Sequence, residues 1–185
     1  MKISLPDNKD DVTLFQYMEL MKMDEESKDY ENQVFSLFTG VDIKDVGSVP
    51  LKQRDEFLKH IYNALQSDGE FKQTFTIDGV DFGLIPNFDK ITGDEYTDLV
   101  RYSVDAELTL DRLISVIYRP IKSKDKFKNY ELYPYEGTSD HIEMIRKLPM
   151  STVNGCLGFF LTLSNDLEKA ILQYTEEEQA KEGTH

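Results

Sequence analysis

Few side chains in this sequence could carry chemistry. The histidines are His60, His141 and His185, and histidine is the usual general base beside a nucleophile. His60 falls inside a helical pattern, His141 near a helix start and His185 at the last position. None belongs to a nucleophile motif. "GCLG" around Cys156 and "GTSD" from Gly137 to Asp140 do not match a strained strand-to-helix elbow. "HIE" at His141–Glu143 matches the start of a zinc deaminase signature, but the paired cysteines that must follow are missing. One cysteine and three histidines are too few for a structural zinc set. No glycine loop has the spacing that cradles phosphate. "DKITGDEYTDL" looks acidic enough for calcium, yet from Asp89 the third position is Ile91 and the sixth is Asp94, which breaks the required ligand order. Pairs of carboxylates arise by chance in a chain with 35 acidic residues, and the Trp platforms common in sugar hydrolysis are absent. These residues predict no catalytic set, no metal, no cofactor and no enzyme.

The elements that would position such residues follow from apolar spacing. "KISLP" reads as a short strand stopped by Pro6. "TLFQYMELMKM" reads as a helix with Thr13 and Gln16 as a capping box and Leu14, Tyr17, Met18 and Met21 on one face. A second helix spans roughly Tyr30 to Phe38, with Gly40 placed as its C-terminal glycine. A third opens at Pro50 and buries Phe57, Leu58, Ile61 and Leu65. The period then changes. Strands near Phe71–Ile77 and Val80–Ile85 flank Asp78-Gly79, a pair that supplies the positive φ of a tight hairpin. Thr92 and Glu95 form a second capping box, with Asp94 and Glu95 favoured by the helix dipole, so helix initiation accounts for the acidic turn. Helices are expected over Thr92–Ser103 and about Leu108–Tyr118, the latter ended by Pro120, with Arg119 at the negative end of its dipole. The lysine-rich segment from Lys122 to Lys128 reads as a long loop or contact surface before a short strand at Tyr130–Tyr133. A brief helix capped at Ser139 or Asp140 precedes a last helix from Pro149, apolar all round at its centre and therefore central in the core. Gly155 and Gly158 on it allow close approach of another element.

The fold class predicted is α+β, mainly α: a single compact helical domain over residues 1–175 with a small antiparallel β-hairpin, then a polar, frayed tail over 176–185. Cys156 lies in an apolar run, where a buried inert thiol is the default. The net charge of −14 repels phosphate backbones and anionic lipid, which argues against direct nucleic-acid or membrane binding and favours a basic protein surface. The same charge also serves simply to keep a small protein dissolved. No secretory leader or membrane-length apolar run is recognised, so the expected location is the cytoplasm.

The order of motifs carries a further signal. "ISLPDNKDDVTLFQYMEL", "FSLFTGVDIKDV", "GLIPNFDKITGDEYTDL", "DRLISVIYRPI" and "MIRKLPMSTVNGCLGFFLTLSNDLEKAIL" follow one another from Ile3 to about Tyr174. That succession resembles small tailed-bacteriophage proteins of structural gene clusters, some of them similar to tail assembly chaperones. The resemblance implies a phage morphogenesis protein in the host cytoplasm. It would hold an aggregation-prone tail protein such as the tape measure, or alternatively form part of the virion at tail, neck or head. It carries over no functional residue. From the residues themselves, the expected protein-binding positions are Met18, Met21 and Met23 on the first helix and Tyr130, Tyr133 and Tyr135 in the aromatic segment. Methionine adapts its shape, and tyrosine is common at interfaces.

Overall fold

A computed structural model describes residues 6–7, 10–66 and 70–158, the side chains of Asp89 and Glu107 excepted. The expected strand "KISLP", the apolar centre of the last helix and the polar tail lie largely or wholly outside these residues.

Both capping boxes form. The Thr13 hydroxyl accepts the Gln16 amide and the Gln16 side chain returns to Thr13 N–H, which starts α1 (Leu14–Met21). α2 (Tyr30–Thr39) ends on Gly40 at φ 69°, the left-handed cap that glycine adopts without strain. A one-turn helix, α3 (Ile43–Val46), interrupts the connector, and α4 (Leu51–Leu65) follows with Pro50 at the N-cap. Pro50 is extended, with ψ 132°, so it precedes the first turn rather than belonging to it. α4 buries Leu58, Ile61 and Ala64, while Phe57 is only half-buried and stacks on Phe35.

β1 (Thr74–Ile77) and β2 (Val80–Leu84) form the expected hairpin about Asp78 and Gly79, both at positive φ. α5 (Gly93–Ser103) and α6 (Ala106–Ile117) then pack side by side. The main departure from the sequence reading comes next. α6 passes without a loop into β3 (Tyr118–Lys124), which pairs with β2 on one side and with β4 (Tyr130–Leu132) on the other. The hairpin is therefore half of a four-stranded antiparallel sheet, ordered β1-β2-β3-β4. The lysine segment is its third strand and a tight turn, not a long loop. Asp125 closes that turn by accepting the amides of Phe127 and Asn129. Pro120 still forbids helix before it, as expected, but the extended backbone it demands is a strand.

The segment after β4 runs to a 3-10 turn at Ser139–His141 and α7 (Ile142–Ile145). Neither Ser139 nor Asp140 caps this helix; His141 is the N-cap and its side chain makes no capping bond. From residue 150 to 158 the chain is helical, with Met150, Val153 and Cys156 buried. A Cβ on Gly155 would lie 2.2 Å from the Glu70 carbonyl group, so the close approach expected there is with the chain entering β1. The buried side chains form one contiguous cluster to which all seven helices named here, the sheet and this last helix contribute. The protein is α+β and mainly helical.

Candidate protein-binding cleft

The geometry that matters begins at β3. In antiparallel register Arg119 stands opposite Gly83, inside the sheet rather than at a helix end. The dipole role expected from the sequence is thereby replaced. The Arg119 Nη2 lies 2.9 Å from Oε1 of Glu95, whose side chain is 3% exposed against 16% for arginine. Glu95 thus serves two partners. Its Oε2 accepts the Thr92 N–H at 2.6 Å, completing the α5 capping box, and its other oxygen faces the guanidinium. That second contact is an ion pair at close range but not an aligned hydrogen bond, and Arg119 Nε is buried without a partner among the described residues. The pair anchors the start of α5 to the middle of the sheet.

Beside Arg119 opens a cleft of about 270 Å³. Its floor is Pro120 and Val80 of the sheet with Met144 of α7, and its wall is the segment from Tyr133 to His141. Two hydrogen bonds hold that wall. The Tyr133 N–H donates to the Pro120 carbonyl at 3.0 Å, and the Tyr135 hydroxyl donates to Asp98 Oδ2 at 2.6 Å. Burial, then the Asp98 carboxylate, push the Tyr135 phenol above its ordinary range, so it stays a donor into alkaline pH. Gly137 turns the wall at φ 98°, a conformation other residues resist, and Thr138 is buried behind it. His141 packs edge-on against Phe82, with Nδ1 buried and unpartnered among the described residues. Glu136 and Asp140, both exposed, complete the cleft lining.

The six residues expected to bind a partner are not brought together. Met18 is buried in the core, Met21 and Met23 are half-buried against it, and none of them lines the cleft. The Tyr130 ring lies over Gly83, with its hydroxyl donating to the Leu84 carbonyl at 2.8 Å. Tyr133 and Tyr135 share the cleft, and Tyr133 is 51% exposed. The sequence reading missed a row that runs along α5 to its C-cap, Val104. Tyr96, Val100 and Val104 recur every four residues and are 61%, 50% and 81% exposed. Their spacing was the signal: α5 carries a second apolar face beside the one that buries Leu99 and Tyr102.

The remaining chemistry-bearing groups are occupied structurally. The Cys156 thiol donates to the Tyr118 hydroxyl at 3.0 Å, which donates in turn to the Lys72 carbonyl, and burial pushes the thiol pKa up. His60 lies 3.1 Å from Asp7 at the surface. Asp111, buried, pairs with Arg146 Nε at 2.8 Å and ties α7 to α6. Among the described residues no three His, Cys, Asp or Glu side chains converge as a metal site, and no helix is long and apolar enough to cross a membrane. No family model, curated protein or solved structure matches the chain.

Proposed function

We propose that this chain is a non-enzymatic assembly protein of a tailed bacteriophage, a tail assembly chaperone that holds an aggregation-prone tail protein by contact. The observation that carries the reading is the exposed row Tyr96, Val100 and Val104. Three large apolar side chains at helical spacing suit an apolar helix of a partner laid along α5. The net charge of −14 acts on the same encounter by drawing in basic flanks and repelling acidic chains. The phage assignment rests on the order of sequence motifs.

A pull-down from infected cells tests the reading. The wild-type chain should retain a phage tail protein, and Val100→Asp with Val104→Asp should lose it while remaining folded. Retention by the double variant removes α5 as the contact, and retention of no phage protein by the wild type removes the reading itself. One feature favours a structural role instead. Phe127, 73% exposed among lysines at the β3–β4 turn, would serve as an adhesive tip. The protein composition of purified particles separates the two roles: a chaperone is missing from them and a component is present at fixed stoichiometry.

A further inference from the structure

We propose that the cleft between β3 and the Tyr133–His141 segment is a socket for one cationic side chain, an arginine of the partner protein. The inference rests on the contact reading above and names the chemistry the partner must bring. The volume, about 270 Å³, lies at the lower edge of the roughly 300–1,000 Å³ typical of small-molecule sites, and it suits one long side chain. Its floor is apolar, with Pro120, Val80 and Met144 placed to take the methylene stem.

The charges around it decide the sign of the occupant. Arg119 borders the cleft, but its guanidinium already faces Glu95 at 2.9 Å, so it offers an incoming anion little. Glu136 and Asp140 line the same space, and neither is in an ion pair among the described residues. Asp140 has only a 3.3 Å contact from the Ser139 hydroxyl. Two such carboxylates beside the half-exposed ring of Tyr133 form a site for a cation that can also stack. A planar guanidinium meets both demands, stacking flat on the phenol and donating two parallel hydrogen bonds to a carboxylate, where a compact ammonium pairs with the carboxylate only as a point charge and has no plane to stack. The wall is preformed where it leaves the sheet, because the Tyr133–Pro120 and Tyr135–Asp98 hydrogen bonds hold it there before any ligand arrives.

The probe is N-acetyl-arginine methylamide, titrated into the isotopically labelled full chain at low salt. Amide resonances of Gly137, Thr138 and His141 should shift and saturate in the millimolar range. The uncharged citrulline analogue should bind at least about tenfold more weakly, and the glutamate analogue should not saturate, since a like charge is repelled. Glu136→Gln with Asp140→Asn, both at exposed positions, should weaken the arginine probe about tenfold and leave the fold unchanged. Equal binding of citrulline and arginine, tighter binding of the glutamate analogue, or no saturable shift at these amides overturns the socket. These results are independent of the pull-down: a chain that captures a phage protein yet ignores the probe loses the socket alone.

Discussion

Replacing Arg119 with methionine should destabilise the protein by about 3–5 kcal/mol, the usual result of leaving a buried charge without its partner. The magnitude follows from the site. At 2.9 Å and an effective dielectric of about 20, the attraction between the two charges is about 6 kcal/mol, set against the desolvation both have undergone. Methionine keeps most of the stem volume, so the loss is electrostatic rather than a cavity. It falls on Glu95, which is 2% exposed and cannot turn to water without abandoning the Thr92 amide. The α5 start and the sheet should then come apart together. Adding Glu95→Gln to the same variant should recover much of the stability, because a neutral amide still accepts at the cap and no lone charge remains. Equilibrium urea unfolding measures all three chains, with unchanged m-values as the check that the unfolded state is unaltered. A loss below about 1 kcal/mol for Arg119→Met would place the pair among solvent-screened surface contacts. A double variant no more stable than Arg119→Met would show that the charge on Glu95 was not the cause.

Thr92→Ala removes the capping hydroxyl together with one methyl group and should lose about 0.5–2 kcal/mol by the same assay, less than Arg119→Met. Gly155→Ala drives a methyl group into the Glu70 backbone and should lose about 1–3 kcal/mol or more, with amide shifts in the chain leading into β1. The Cys156 thiol should react with a disulfide reagent only as the protein unfolds, so labelling rates should track the urea transition. Tyr62, pushed up to about 12 chiefly by burial and then by Tyr30, ionises later in the folded chain than in the unfolded one. Its stabilising contribution is whole below pH 10 and is lost as pH rises towards 12, visible as delayed tyrosinate absorbance with a coincident fall in stability.

The parts of this fold legible in the sequence are those whose partners lie within a few residues. Thr13 with Gln16, Thr92 with Glu95, Gly40 and Asp78-Gly79 each state a local geometry through residue type and short spacing, and each forms. Beyond the first hairpin the short strand expected at Tyr130–Tyr133 forms as β4, whereas β3, which joins it to the hairpin, was hidden. "LISVIYRPI" is apolar almost without interruption, so neither the helical nor the alternating period stands out where α6 becomes β3. Lysines on the outer half of β3 look like a loop because an exposed strand end and a loop have the same polarity.

That single misplacement explains why the cleft was only half seen. An arginine set at a helix end faces a dipole and water, and its environment asks for nothing further. Moved one element onward into a central strand, the same side chain must find an anion, and the buried anion within reach is the second residue of a capping box already explained by local need. Glu95 was therefore read correctly and incompletely: cap geometry accounts for one carboxylate oxygen and long-range packing claims the other. With Arg119 matched in this way, the rim carboxylates Glu136 and Asp140 are left without a counter-charge among the described residues, beside Tyr133 and Tyr135, two of the positions the sequence reading names for partner binding. The electrostatic sign of the cleft is thus set by where β3 begins, at Tyr118. A variant that extended α6 past that point would carry Arg119 away from Glu95, remove the Pro120 floor and the Tyr133 hydrogen bond, and abolish the socket and the α5 anchor in one step.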